Sequence, residues 1–194
     1  GLIYYLGENN PVDIDKAIHY FSLAANNNDA QAIFRLGFIY DQGKYVKQDM
    51  EKAVFYYLLA ANHNIPEAQF NLSLIYLSDF KSPQNIEKAI YYLTLAAENN
   101  YINAQMNLGD MYLEGKYVPK NIKKAIYYIS RASNQNYSKA YLILGMIYLL
   151  DENYNKAIHY LTIASKQNIL EAHLNLGKIY YLDRHVNGDI NKAI

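Results

Sequence analysis

Residues 104–133 read AQMNLGDMYLEGKYVPKNIKKAIYYISRAS, and this stretch decides the fold because two helical patterns flank a loop in it. Over residues 104–112, Ala, Leu and Tyr stand at positions i, i+4 and i+8, on one face of a helix. Over residues 125–132, Ala, Ile and Ala stand at i, i+4 and i+7 and form the apolar stripe of another helix. The stretch therefore predicts a helical hairpin.

The same two patterns recur along the whole chain, with a period of about 36 residues. The pair Lys-Ala recurs with spacings of 36, 36, 36, 32 and 36, at Lys16-Ala17, Lys52-Ala53, Lys88-Ala89, Lys124-Ala125, Lys156-Ala157 and Lys192-Ala193. Leu followed by a small residue recurs with spacings of 30, 36, 36, 36 and 32, at Leu6-Gly7, Leu36-Gly37, Leu72-Ser73, Leu108-Gly109, Leu144-Gly145 and Leu176-Gly177. Two markers in step indicate an internal repeat.

The small residue after each Leu predicts where the two helices of a hairpin cross. A Gly inside a helix costs roughly 1 kcal/mol, so we expect a packing advantage in return, namely close approach of the two backbones. Ser73 replaces Gly in one unit, and its hydroxyl should either tolerate a wider crossing or bond back to its own helix.

A short polar residue stands three positions before the Lys of each Lys-Ala pair. Its side chain can accept a hydrogen bond from a first-turn amide, so we expect it to be the N-cap of each second helix. These residues are Asp13, Asp49, Asn85, Asn121, Asn153 and Asp189.

One hairpin of this size cannot bury its apolar surface alone, so the repeats must stack. We therefore expect an all-α solenoid of about five 36-residue helix-turn-helix repeats, a single domain over residues 1–194. The repeat units are approximately residues 1–29, 30–65, 66–101, 102–137, 138–169 and 170–194. Because the first and last units are incomplete, we interpret the chain as part of a longer array that is truncated at both ends.

Composition narrows the classes of function. The chain has 194 residues, and 18 Lys plus Arg balance 18 Asp plus Glu, so no net field favours nucleic acid. Cys is absent, which excludes a disulfide framework and a Cys-based zinc site and leaves the compartment open. No apolar run approaches the roughly 18 to 20 residues of a membrane-spanning helix, so we expect no direct membrane insertion by this segment.

The repeat resembles that of the Sel1-like repeat (SLR) family, a relative of the tetratricopeptide repeat (TPR), over essentially the whole chain. The resemblance is carried by AQFNLSLIY at 68–76, EAHLNLGKIY at 171–180 and DQGKYVKQDMEKAVFYYLLAA at 41–61, together with the opening stretch. The family pattern has A-Q-x-x-L-G-x-x-Y, a loop with Gly, Val and Asp, and then K-A-x-x-Y-x-x-x-A-A. Trp is absent and the period is 36 rather than 34, which favours the SLR family over plain TPR.

This resemblance implies a right-handed α-α superhelix that acts as a protein-interaction adaptor. Certain secreted bacterial members carry a disulfide in each unit and have been linked to penicillin-type ligands. With no Cys in the chain, that subtype does not fit.

Side chains that could carry chemistry do not form a catalytic or metal-binding motif. None of the five His forms H-x-x-x-H or stands near carboxylates at ligand spacing; they are His19, His63, His159, His173 and His185. Neither a nucleophile elbow nor a phosphate-binding loop is present, so we expect no enzyme and no cofactor. One column of aromatic residues could suggest a surface for stacking bases, but we interpret it as core packing between repeats. It comprises Tyr20, Tyr56, Tyr92, Tyr128 and Tyr160.

Two sets of equivalent positions next to the repeated Leu, which we call columns, are the best candidates for binding a partner. The pre-leucine column, immediately before each Leu, is Tyr5, Arg35, Asn71, Asn107, Ile143 and Asn175. In TPR relatives the corresponding column faces the concave groove, and an Asn carboxamide can both donate to and accept from a peptide backbone. The competing interpretation is that these Asn bond within the helix or to the next repeat. The post-leucine column, two residues after each Leu, varies and would set specificity; it is Phe38, Leu74, Asp110, Met146 and Lys178.

These features favour a non-enzymatic adaptor that binds a protein or peptide in its concave groove through Arg35, Asn71, Asn107, Asn175, Phe38, Leu74, Asp110 and Lys178. Two alternatives remain open. The segment could be a structural spacer between domains outside it, or a small-molecule-binding or hydrolase-like envelope protein of the same repeat class.

Overall fold

The computed structural model describes residues 1–7, 11–78 and 82–181, and every regular element in these ranges is an α-helix. The eleven helices there are α1 (Leu2–Leu6), α2 (Ile14–Asn26), α3 (Ala30–Gln42), α4 (Met50–Asn62), α5 (Pro66–Ser78), α6 (Pro83–Glu98), α7 (Ile102–Glu114), α8 (Ile122–Ser133), α9 (Ser138–Leu150), α10 (Tyr154–Lys166) and α11 (Leu170–Tyr181). Odd-numbered helices from α3 onward carry the Ala-Leu-Tyr stripe and are the first helices of the hairpins. Even-numbered helices carry Lys-Ala and are the second helices. This alternation confirms the predicted all-α repeat.

The helices form two compact units, residues 1–104 and 105–194. In the first unit each helix from α2 to α6 packs on its neighbour in the chain, and in the second unit the same holds from α8 to α11. Small and large side chains of the two helical stripes make up the buried interior. Ala53, Tyr57, Ala60 and Leu72 pack together in the first unit, and Leu142, Leu161, Ala164 and Ala172 in the second.

The hairpins cross closely at the Gly after Leu36, Leu108 and Leu144, as the sequence predicts. At Gly37 an added Cβ atom would lie 2.8 Å from the ring of Tyr57, and at Gly145 it would lie 2.6 Å from Cγ of Leu161. Such distances leave no room for a side chain. Where Ser73 replaces Gly, its buried hydroxyl donates to the carbonyl oxygen of Phe70 at 2.6 Å, so it bonds back to its own helix. The prediction is wrong for Leu6, because Gly7 is the C-cap of α1 with a φ of 69°, and the close approach in that hairpin is at Gly1 against Phe21.

Four of the predicted N-caps are confirmed and one is wrong. The side chains of Asp13, Asp49, Asn121 and Asn153 accept from the amide three residues later. Asn85 instead lies in the first turn of α6, which begins one turn earlier with Ser82 as its N-cap and Pro83 as its first residue. Proline favours that position because its fixed φ suits a helix and it has no amide to satisfy. Asp189 and the pair Lys192-Ala193 lie outside the described residues.

The turns from each second helix to the next first helix share an Asn in the left-handed conformation. The φ angles of these residues are 61°, 58°, 61°, 60° and 62°, at Asn28, Asn64, Asn100, Asn136 and Asn168. Asn tolerates this conformation better than most residues, so it closes a short connection between helices. The positions are spaced by 36, 36, 36 and 32 residues, in step with the other markers of the repeat.

The column Tyr20, Tyr56, Tyr92, Tyr128 and Tyr160 stacks within the hairpins rather than between repeats. Each ring lies nearly parallel to the Tyr of its own first helix, with centroids 5.5 to 6.0 Å apart, and a Lys ammonium lies 4.8 to 5.5 Å from that second ring. The physical reason is the close crossing, which brings the two rings together one turn beyond the Gly or Ser. The column therefore belongs to hairpin packing, with cation-π contacts at its edge.

Candidate protein-binding surface

The pre-leucine column lies at the edge of the core. Tyr5, Arg35, Asn71, Asn107, Ile143 and Asn175 are all half-buried. The following Leu is fully buried at Leu36, Leu72, Leu108 and Leu144, whereas Leu6, which follows Tyr5, is exposed. Such positions can support the fold and still present polar atoms to a partner, so each must be judged by its own contacts.

Asn71 takes part in a hydrogen-bonded chain inside the first unit. Its Nδ2 donates to the hydroxyl oxygen of Tyr57 at 3.0 Å, and the Tyr57 hydroxyl donates to Oδ2 of Asp41 at 3.1 Å. Tyr57 is fully buried, and burial, with the nearby Asp41 carboxylate, raises the pKa of its phenol. The amide group of Asn71 therefore already serves the fold, which is the competing interpretation of this column.

Asn107 differs from Asn71, because no described residue forms a hydrogen bond with its side chain. One repeat after Tyr57, the equivalent position in α6 is Leu93, which has no hydroxyl. The carboxamide of Asn107 is half-buried and keeps its capacity to donate and accept.

In the first unit, Arg35 and Phe38 belong to an aromatic cluster. The Arg35 guanidinium carbon lies 5.9 Å from the centre of the Phe34 ring, and the centres of the Phe34 and Phe38 rings are 6.3 Å apart. Phe38 also packs against the buried core of this unit. Leu74 and Lys178, in the same post-leucine column, are exposed.

The second unit contains a groove where both columns meet. It has a volume of about 730 Å³ and lies among α7, α8 and α9, and we call it the α7–α9 groove. Its apolar lining is Leu113, Ile122, Ile126, Ile143, Met146, Ile147 and Leu150. Ile143 comes from the pre-leucine column, and Asp110 and Met146 come from the post-leucine column. The size of the groove and its apolar lining are suitable for binding apolar side chains of a partner.

Four charged side chains also line this groove, namely Asp110, Lys120, Lys123 and Asp151. Within the described part of the chain, none of the four is engaged in an ion pair. Asp110 is half-buried, and burial raises the pKa of its carboxyl, which Glu114 raises further and Lys139 opposes. A carboxylate that loses hydration without forming an ion pair is poorly stabilised.

Sequence reasoning placed Asp110 among the candidates but missed the apolar wall around it. Two signals were available. Ile122 and Ile126 stand at i and i+4 at the start of α8, and the connection from Leu144 to Lys156 is four residues shorter than in the three preceding units. In the longer loops Val46 and Val118 are half-buried, whereas the short connection has no such valine and Leu150 is 86% exposed.

The histidines occupy ordinary positions. His19 and His159 contact Tyr20 and Tyr160 edge to face, at 5.3 and 5.2 Å between ring centres. Phe55, Tyr91 and Tyr127 hold the same column in other units. Across the described ranges, His, Asp and Glu do not gather in a group of three that could hold a metal ion, and His185 lies outside those ranges. No helix in those ranges has the length and apolarity needed to cross a membrane.

Solved structures that resemble the chain carry the same repeat. The crystal structure of c5321, a protective antigen of uropathogenic Escherichia coli strains with an SLR fold, gives a TM-score of 0.86 at 26% identity, over 99% of this chain and 42% of that one. A Sel1 repeat protein from Oxalobacter formigenes gives 0.76 at 25% identity, over 99% and 80% of the two chains. The immunity protein Pa5087 from Pseudomonas aeruginosa gives 0.53 at 23% identity, over 96% and 70%, and shows a shared fold alone. This chain thus spans less than half the length of c5321.

A comparison of the sequence with curated proteins gave no match. The family model of the Sel1 repeat, however, matches residues 1–29, 30–65, 66–101, 102–137, 138–169 and 170–194. Proteins built from this repeat generally mediate protein-protein interactions and act as scaffolds rather than enzymes. The resemblance inferred from the sequence is confirmed, and the chain belongs to the Sel1 repeat family.

Proposed function

We propose that the chain is a non-enzymatic adaptor that holds a peptide or a partner domain on the face that carries the pre-leucine and post-leucine columns. The observation that supports this most directly is the α7–α9 groove, with its volume of about 730 Å³. Apolar side chains line it and members of both columns stand in it. A partner that inserted apolar side chains there would gain roughly 25 cal/mol for each Å² of apolar surface that both proteins bury.

The remaining candidates support the proposal unequally. Asn107 and Asp110 lie on α7 and are half-buried, so a partner in the groove region can reach both of them. Leu74 and Lys178 are exposed and can extend a binding surface within their own units. Arg35, Phe38 and Asn71 have contacts inside the first unit, so in the proposal they contribute mainly to the shape of the surface.

The test begins with recovery of partners from a lysate of the source organism on the immobilised chain. A recovered partner is then titrated against a groove variant, Met146→Glu with Leu150→Glu. Both residues lie on α9, and they are 37% and 86% exposed, so the helix tolerates the change. We expect affinity to fall by about tenfold or more, because two charges enter an apolar contact.

The matched control is Leu170→Glu, at a residue of α11 that is 83% exposed and does not line the groove. It should bind the partner as tightly as the unmodified chain. Circular dichroism must show equal helix content in all three proteins. Unchanged affinity of the groove variant, or an equal loss in the control, would exclude the groove as the binding surface.

A further inference from the structure

The α7–α9 groove combines an apolar wall with a half-buried carboxylate that forms no ion pair within the described residues. Asp110 is half-buried at the groove, and the charges that act on it are Lys139, which lowers its pKa, and Glu114, which raises it. The two lysines that line the groove, Lys120 and Lys123, form no ion pair with it within the described residues. The carboxylate is therefore not neutralised by the basic side of its own groove.

An occupant that is entirely apolar would remove more water from Asp110 and leave a charge buried without a partner. That penalty is large for a desolvated ion, so it opposes a purely apolar ligand. An occupant that brings its own cation would pair with Asp110 and bury apolar surface at the same time. Lys120 and Lys123 repel a uniformly basic ligand. Asp151, the other carboxylate that lines the groove, is exposed and keeps its water, so a single cation gains most beside the half-buried Asp110.

We propose that the α7–α9 groove takes a short apolar segment of a partner protein that carries a single basic side chain, Arg or Lys, in contact with Asp110. This inference rests on the proposed function, because it names the chemistry of the partner at the same surface. Apolar side chains of the segment lie on Ile143, Met146 and Leu150. Arg suits the position better than Lys, because its planar fork can bond both oxygens of one carboxylate.

The probe is a phage-displayed library of random dodecapeptides, selected in parallel on the 194-residue chain and on its Asp110→Asn variant. Asn keeps the shape of Asp and removes the charge. We expect the peptides selected on the unmodified chain to combine apolar residues with one Arg or Lys. The peptides selected on the Asn variant should keep the apolar residues and lose the preference for a basic residue.

One selected peptide and its Arg→Gln or Lys→Gln analogue are then titrated against both proteins by fluorescence anisotropy. The substitution should weaken binding to the unmodified chain by about tenfold and change binding to the Asn variant little. Binding of the basic peptide should also weaken as the pH falls through the pKa of Asp110. The part of this pH dependence that is absent in the Asn variant comes from Asp110, whereas the other charged groups near the groove, Glu114, Asp151, Lys120, Lys123 and Lys139, are the same in both proteins.

Failure of this inference can be told apart from failure of the proposed function. The inference is overturned if the selected peptides show no preference for a basic residue, or if the peptide substitution has equal effects on both proteins. If the variant Met146→Glu with Leu150→Glu still abolishes binding of these peptides, the proposed function stands. Failure to select any peptide, or peptides that bind the groove variant equally well, overturns the inference as well, and the proposed function then depends on the partner titration alone.

Discussion

At the scale of single residues, one column of the repeat holds side chains with different roles. Asn71 and Asn107 occupy equivalent positions, but only Asn71 has a phenol to bond, at Tyr57. In the repeat pattern the residue 36 positions after Tyr57 is Leu93, which has no hydroxyl. An Asn in this column is therefore structural where the adjacent repeat supplies a polar partner, and otherwise keeps its bonding capacity.

This difference predicts opposite results for two identical substitutions. Asn71→Ala removes the donor to the buried Tyr57 hydroxyl and should lower the free energy of unfolding by about 0.5 to 1.5 kcal/mol. Asn107→Ala should leave that free energy within about 0.5 kcal/mol. It should lower the affinity for a partner bound on α7 by roughly two- to tenfold, because one hydrogen bond is lost.

Urea unfolding and titration calorimetry with a partner recovered on the unmodified chain measure the two effects. Each variant serves as the control for the other. If Asn107→Ala destabilises the chain as much as Asn71→Ala and leaves affinity unchanged, Asn107 has a structural role too.

At the scale of helices, the close crossing is the feature that repeats most strictly. Gly109 is buried, and a Cβ atom there would overlap Cγ1 of Ile129 on the facing helix. Ser73 shows that the crossing accepts one small polar side chain whose hydroxyl bonds its own backbone. A β-branched residue has no such solution, because both of its methyl groups must find space between α7 and α8.

Gly109→Val should therefore lower the free energy of unfolding by about 1 to 3 kcal/mol. The size of Ile129 causes the overlap, so the double variant Gly109→Val with Ile129→Ala should lose less than the sum of the two single variants. Thermal and urea unfolding of the four proteins complete the cycle. Additive losses would mean that the two side chains do not compete for the same space.

The pairing of helices could be predicted from the sequence, because the two helices of every repeat pack through apolar and small residues at the same spacing. The prediction failed where one unit differs from the others. Ser82 and Pro83 start α6 a turn early, so the cap expected at Asn85 does not form. The α7–α9 groove likewise follows a shortened loop next to Leu150, and periodicity cannot reveal how irregular loops and neighbouring helices enclose a space.

At the scale of the whole molecule, the most extensive contacts within the described residues join helices that are neighbours in the chain. A protein of this kind has a stability close to the sum of its hairpins and the interfaces between adjacent hairpins. A local defect should then raise the opening rate of its own hairpin and of the helices packed on it. Distant hairpins should keep their protection.

Two matched substitutions test this local character. Gly145→Ala places a methyl group against Leu161 and should speed amide hydrogen exchange in α9 and α10, and less strongly in α8 and α11. Gly37→Ala places the same group against Tyr57 and should give the corresponding pattern in α3 and α4. Hydrogen-deuterium exchange with mass spectrometry resolves these segments. Equal acceleration in all described helices for both variants would indicate one all-or-none unfolding unit, whereas two separate patterns would show that each hairpin can adapt to a partner without loosening the rest of the array.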